Sequence, residues 1–259
     1  MKNYLKYLSV IVFTIFSFYY TDKVIELSEY NNTILVSIDD YASINDKKCI
    51  EGQINEDGII LGLTGISVDK NKSYSNMKGI GFREDLIEYK SDKCILNKDN
   101  NKDKYIIKGS NYKNDIALII DINNLDYYDK MIEIANLYNV KLNVLINANG
   151  YDNLSNKDNI LLKANSDIIS DFKKKTKNFY CVKTNSFDII NYCKKEDINS
   201  IKIKNYIESN LLLNIKKLLD KGELYFIKEN NCNYNELSST IKYIKSRGYN
   251  IVSVDSLLS

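Results

Sequence analysis

The chain has 259 residues, a net charge of +2 and a hydrophobic content of 44%. It is long enough for one large α/β domain, or for a small and a medium domain, and it carries no overall charge that would favour nucleic acid. Histidine is absent, so Ser-His-Asp triads, Cys-His dyads and imidazole-based zinc sites are excluded whatever the fold.

The N-terminal segment predicts a membrane anchor. Lys2 and Lys6 precede an uncharged stretch from Tyr7 to Thr21, and with snorkelling of Lys6 this stretch approaches the roughly 20 residues of a spanning helix. The bulky residues before Asp22 favour an uncleaved anchor over a cleaved signal peptide, and a buried core helix is the third alternative. We therefore predict a transmembrane segment at residues 1–21 and place the remaining chain outside the cytoplasm.

Residues 22–108 predict a small, membrane-proximal α+β region in which no motif carries chemistry. The stretch "NTILVSID", residues 32–39, is typical of a strand, and Gly58–Asp69 predicts a hairpin or two short strands. A polar stretch at Leu96–Lys104 indicates a linker.

The cysteines do not form a zinc-binding pattern. None of the five belongs to a C-x-x-C pair, so a zinc ribbon is disfavoured. A bridge between Cys49 and Cys94 is one pairing that the sequence allows, and buried small apolar side chains are the alternative.

From Gly109 to Ser259, short apolar runs alternate with stretches of helical spacing. The run "DIALIID" predicts a strand that ends on Asp121, and "YYDKMIEIANLYN" has an apolar helical face. This alternation predicts a parallel sheet, open or closed into a barrel, with functional groups at the carboxyl ends of the strands.

These elements resemble the polysaccharide deacetylase (NodB homology) family. "DIALIIDINN" and "VKLNVLINA" resemble its first two strands, and "GELYFIKE" with "LSSTIKYIKSRGYNIVSVDSLL" resembles its closing strand, helix and C-terminal end. The resemblance covers residues 109–259 and implies a distorted (β/α) barrel. It further implies hydrolysis of N- or O-acetyl groups on extracellular glycans, with zinc held by one Asp and two His and a neighbouring Asp as general base.

Carried over residue by residue, the resemblance implies a degenerate site. Asp121 falls on the general base, but Ile122 replaces the metal-binding Asp, and Asn159–Ile168, where two His ligands are expected, has no histidine. Lys228 stands at the general-acid His, and Glu229 replaces the Asp after it. We therefore predict that Asp121 is a remnant, with no metal and no cofactor.

Further residues of this chain have predicted roles at the site. The family's Arg motif falls on Phe179–Thr184, where Tyr180 or Cys181 stands near the Arg position, and Tyr180 and Glu229 are the predicted binding residues. An ion pair of Asp121 with Lys228 would neutralise the carboxylate in place of the metal.

Two functional interpretations remain open, besides a purely structural barrel in an envelope assembly. The first is a membrane-anchored pseudoenzyme that binds cell-wall glycan, peptidoglycan or a protein partner through the old cleft, with Tyr151, Tyr180 and Tyr206 as candidates for stacking on sugars. The alternative is an active carbohydrate deacetylase, which is either metal-assisted through an oxygen-rich site drawn from Asp167, Asp171 and Glu229 or runs on Asp121 alone.

Overall fold

The computed structural model describes residues 2–123, 125–154, 159–165, 167–176, 178–184 and 188–259, without the side chains of residues 2–6, 8 and 31. The helices are α1 (Lys2–Asn45), α2 (Lys70–Met77), α3 (Tyr128–Leu137), α4 (Ile169–Lys175), α5 (Ile190–Lys195), α6 (Leu211–Leu218), α7 (Asn231–Ser246) and α8 (Val254–Leu257). The strands are β1 (Gln53–Asn55), β2 (Gly58–Ile60), β3 (Gly65–Val68), β4 (Tyr89–Asp92), β5 (Tyr105–Lys108), β6 (Asp115–Asp121), β7 (Asn143–Ile146), β8 (Ile160–Lys163), β9 (Phe179–Lys183), β10 (Ser200–Lys202), β11 (Asn205–Ile207), β12 (Leu224–Lys228) and β13 (Asn250–Ile251).

The chain forms two compact units, and each unit takes two segments of the sequence. The N-terminal unit consists of Met1–Lys48 and Gly65–Asp92, and the C-terminal unit of Cys49–Thr64 and Lys93–Ser259. Two segments that sequence analysis assigned to the small region, 49–64 and 93–108, thus group with the C-terminal unit. The reason is strand pairing, because β5 pairs in parallel with both β2 and β10.

The N-terminal unit packs around one face of α1. Ile34, Ile38 and Ala42 are spaced four residues apart, so they project from the same side of the helix. They form a small core with Val68 of β3, Met77 of α2 and other apolar side chains. The strand predicted at residues 32–39 is therefore wrong: helical spacing of the buried positions outweighs the β-branched composition of that stretch.

The first part of α1 exposes its apolar side chains. Its residues from Val10 to Tyr20 are exposed, and the helix continues to Asn45 because neither proline nor glycine interrupts it. The predicted membrane-spanning helix at residues 1–21 is not found as such. Among the described helices, none combines the length and the apolar character that crossing a bilayer requires.

The C-terminal unit is built on one mostly parallel sheet, as sequence analysis predicts. Its strand order is β1-β2-β5-β10-β9-β8-β7-β6-β12-β11, with β13 paired to β6. The β1–β2 pair is antiparallel and the others are parallel. The two end strands, β1 and β11, do not pair with each other, so the sheet is an open barrel.

Alternate side chains of the strands form two separate cores. Ala117 and Ile119 of β6 point to an inner core, where they meet side chains from strands as distant in the sheet as β2 and β12, two residues of α8 and Leu258 just after it. Such distant strands share one core only if the sheet curls around it. Ile116, Leu118 and Ile120 point outward and pack under the helices. Asp121, two residues after Ile119, therefore projects on the inner side.

Two disulfides link parts of the C-terminal unit. Cys49–Cys94 is the pairing that sequence analysis considered, and Cys181–Cys193 joins β9 to α5 and was not predicted. Cys232 is an exposed free thiol at the start of α7.

Candidate ligand site at the carboxyl edge of the sheet

Asp121 lies at the carboxyl end of β6, deep in the mouth of the open barrel. β6 lies between β7 and β12, and its uninterrupted apolar run suits a strand that is covered on both faces. Only 6% of Asp121 is exposed. A carboxylate that is so far removed from water needs partners of its own.

Two neighbouring side chains, Lys163 and Tyr206, contact this carboxylate. The ammonium of Lys163, at the end of β8, forms an ion pair with Asp121 Oδ1 and donates to Asn123 Oδ1 at 3.2 Å. The hydroxyl of Tyr206, on β11, donates to Asp121 Oδ2 at 2.7 Å. Burial and the hydrogen bond to Asp121 raise the pKa of Tyr206, so this hydroxyl stays protonated near neutral pH. One oxygen of Asp121 is thus ion-paired with an ammonium, and the other accepts a hydrogen bond.

Asp121 forms its ion pair with Lys163 and not with Lys228, so the predicted partner is wrong. Lys228 is directly in register with Asp121 on the adjacent strand, yet the ion pair goes to Lys163, two strands away on the other side. In the register, Leu145 of β7 aligns Asp121 with Leu161 of β8, and Lys163 is two residues beyond Leu161. The long, flexible stem of Lys163 therefore carries its charge across β7 to the carboxylate.

Around this ion pair is an open pocket with a basic lining. Its volume is about 490 Å³. Among the described residues it is lined by Asp121, Lys163, Lys183, Thr184, Lys202, Ile203 and Tyr206. The lining therefore holds three ammonium groups and one carboxylate, and the carboxylate is already paired.

The lysines of this edge follow a regularity that sequence analysis missed. Five strands of the sheet end on lysine: β5 at Lys108, β8 at Lys163, β9 at Lys183, β10 at Lys202 and β12 at Lys228. The signal is visible in the sequence as "YIIK", "ILLK", "FYCVK", "SIK" and "LYFIK". It was obscured because lysine is common throughout the chain.

Glu229, predicted as a binding residue, does not face the pocket. It is buried, and its Oε1 accepts the backbone N–H groups of Tyr127 at 2.8 Å and Tyr128 at 3.2 Å. Those groups are at the start of α3, where unpaired amides and the helix dipole favour a carboxylate. Glu229 is thus a helix cap that fixes α3 against the end of β12.

Tyr180, the other predicted binding residue, lies at the opposite end of the sheet. It occupies the amino-terminal part of β9, where its hydroxyl donates to Asp255 Oδ1 at 2.8 Å and Lys98 pairs with the same oxygen at 2.6 Å. Burial and the bond to Asp255 raise the pKa of Tyr180. Tyr151 packs edge-on against Phe172 in the outer core. Of the three tyrosines proposed for stacking, only Tyr206 lies at the mouth.

The residues at the mouth do not fit the zinc ion that the family resemblance implies. A catalytic zinc site needs about three protein ligands, but Asp121 is paired with an ammonium, and Ile122 is buried in the outer core. Asp171, one of the proposed substitute ligands, is exposed and pairs with Lys174 at 2.7 Å.

No group of metal-ligating side chains forms around Asp121 in the described part of the chain. The one such group found there is Cys49, Glu51 and Cys94, and its two cysteines are joined in a disulfide.

The fold is that of family 4 carbohydrate esterases. A mutant of the Bacillus anthracis protein BA3943, described as a family 4 pseudoenzyme with restored activity, superposes with a TM-score of 0.61 and 17% identity over 88% of this chain and 98% of its own. Wild-type BA3943, described as a pseudoenzyme, superposes with a TM-score of 0.59 and 17% sequence identity, covering 88% of this chain and 95% of its own. PdaA of Bacillus subtilis, described as a family 4 carbohydrate esterase, superposes with a TM-score of 0.52 and 14% sequence identity, covering 60% of this chain and 85% of its own.

The resemblance to polysaccharide deacetylases is thereby confirmed at the level of the fold. No family model matches the sequence, and no curated protein matches it either.

Proposed function

We propose that this protein is a non-hydrolytic member of the deacetylase fold that binds a cell-wall glycan at the mouth of its barrel. The fold supports a carbohydrate ligand, since PdaA is described as a carbohydrate esterase and BA3943 as a pseudoenzyme of the same family. The open pocket of about 490 Å³ is in the size range of small-molecule sites.

One observation carries the proposal: the ammonium of Lys163 on the carboxylate of Asp121. Metal-assisted hydrolysis of an acetyl group needs a cation that polarises the carbonyl and a free carboxylate that accepts the proton of water. Here Asp121 is ion-paired with Lys163 and accepts a hydrogen bond from Tyr206 at once. An ammonium has no empty orbital for a water or carbonyl oxygen, so Lys163 neutralises the carboxylate without supplying Lewis-acid chemistry.

The test is acetate release together with metal content, measured on the full chain. We expect no acetate from acetylated chitooligosaccharide or peptidoglycan above an Asp121→Ala control, and substoichiometric zinc after dialysis against zinc-containing buffer. A Lys174→Ala variant, which alters an exposed lysine on α4, serves as the matched control. Acetate release by the wild type that is lost in Asp121→Ala would establish the alternative, an active deacetylase with a replaced site.

A second part of the proposal concerns the location of the protein in the cell. We propose that the protein works outside the cytoplasm and is attached to the membrane through the apolar start of α1. Two disulfides support an oxidising compartment, and the exposed apolar side chains from Val10 to Tyr20, which follow N-terminal lysines, suit a lipid environment. Fractionation of cells checks this: the chain should sediment with membranes, and deletion of residues 2–21 should release it.

A further inference from the structure

We infer that the ligand at the barrel mouth carries an anionic group, a carboxylate or a phosphate, which the lysines at the carboxyl edge of the sheet recognise. The inference deepens the proposed glycan binding and rests on it for the class of molecule. It is drawn from the balance of charges around the pocket.

Three of the strand-end lysines already have carboxylate partners. Lys163 pairs with Asp121. Lys202 pairs with Asp57 at 2.5 Å. The buried Lys108 pairs with Asp220 at 2.5 Å and with Glu223 at 3.1 Å. These three charges are compensated within the protein and leave no excess for a ligand.

Lys183 and Lys228 differ from the other three. Among the residues that the structure describes, neither ammonium has a carboxylate within ion-pair distance. Lys183 lines the pocket, and its ammonium lies over the ring of Tyr105 at 5.1 Å from the centroid. Lys228 is half-buried and in register with Asp121. Asp188, which accepts from the hydroxyl of Tyr105, offsets part of the Lys183 charge from beyond ion-pair distance. The remaining positive charge adds to the potential at a mouth where the one lining carboxylate among the described residues is neutralised.

A concave pocket concentrates the field of its charges on whatever enters it; here Lys183 lines the pocket and Lys228 is in register with the lining residue Asp121. Thr184 and Tyr206 place hydroxyl groups on the same lining, which suits the hydroxyls and ring oxygens of a sugar. A neutral oligosaccharide would leave both ammoniums without a partner, whereas an acidic sugar or a sugar phosphate would pair with them. The arrangement thus favours an acidic glycan over a neutral one.

The experiment measures affinities of the full chain by isothermal titration. The probes are N-acetylmuramic acid oligosaccharide for the carboxylate, a glycerol-phosphate oligomer for the phosphate, and neutral chitotetraose. We expect one anionic probe to bind at least about ten-fold more tightly than chitotetraose, with an affinity that falls as salt is raised. The probe that binds identifies the source of the anion.

Lys183→Gln and Lys228→Gln should each weaken that binding about two- to five-fold, the range expected for the loss of one solvated charge contact. Lys174→Gln removes the same charge from an exposed helix position and should leave the affinity unchanged. Equal binding of neutral and anionic probes, absence of binding to any probe, or an anionic preference that survives in the Lys183→Gln/Lys228→Gln double variant would overturn the inference. Acetate release is a separate readout and bears only on the proposed lack of hydrolysis.

Discussion

Replacement of Lys163 by methionine tests whether this lysine stabilises the barrel mouth by neutralising Asp121. The side chain of Lys163 is 15% exposed and that of Asp121 is 9% exposed, so we treat the pair as a buried ion pair. Removing one partner of a buried ion pair costs about 3–5 kcal/mol, because the other charge is left in a poorly solvated place. Asp121 keeps the hydrogen bond from Tyr206, so we expect about 3 kcal/mol, the lower end of that range.

This loss is measurable by urea unfolding of the full chain, followed by near-ultraviolet circular dichroism. In thermal unfolding it corresponds to a fall in Tm of about 6–12 °C for a unit of this size. Lys174→Met, which removes an exposed partner of Asp171, should change stability by less than about 0.5 kcal/mol.

The double variant Lys163→Met/Asp121→Leu removes both charges and should recover most of the loss. If Lys163→Met unfolds like the wild type, or if the double variant is no more stable than the single one, then the ion pair does not have the role assigned to it.

Three further outcomes are expected. Cys94→Ala opens a bridge of sequence separation 45 and should cost about 4 kcal/mol, against about 3 kcal/mol for Cys193→Ala at separation 12; equal costs in urea unfolding would contradict this order. Gly222→Ala should destabilise more than Gly248→Ala: both have positive φ, but a Cβ at Gly222 would lie 2.7 Å from a backbone oxygen and one at Gly248 meets nothing within 4 Å. Burial and a bond to a carboxylate raise the pKa of Tyr105 to about 12, so its contribution to stability should be complete below pH of about 10 and lost as pH rises through about 12, which tyrosinate absorbance during alkaline unfolding checks.

The sheet was largely predictable from the sequence because its strands are apolar runs of limited length. β6 is an example: all its residues from Ile116 to Ile120 are buried, and a run of that kind has few alternatives once helices follow it at regular intervals. The α1 helix was mispredicted where composition and spacing disagree. Ile34 and Ile38 are β-branched, but their four-residue spacing matches one helical face, and tertiary packing decides such cases.

The site was predictable only in part. Sequence analysis placed Asp121 at a strand end, because the apolar run before it can be recognised from the sequence alone. It did not identify Lys163 as the partner, because that pairing depends on the strand order β8-β7-β6 and on a side chain that reaches across β7. Glu229 and Tyr180 were assigned by their positions in family motifs. In the structure, Glu229 accepts backbone N–H groups at the start of α3, and Tyr180 donates to Asp255 at the other end of the sheet.

The Cys49–Cys94 bridge has a practical consequence for handling the protein. Gly65–Asp92 belongs to the N-terminal unit, while the chain on either side of it belongs to the C-terminal unit, and the two bridged cysteines flank that excursion. One proteolytic cut between residues 50 and 93 leaves fragments that stay covalently joined until a reductant is added. A single band on a non-reducing gel is therefore no measure of an uncut chain, and the integrity of purified samples has to be judged after reduction.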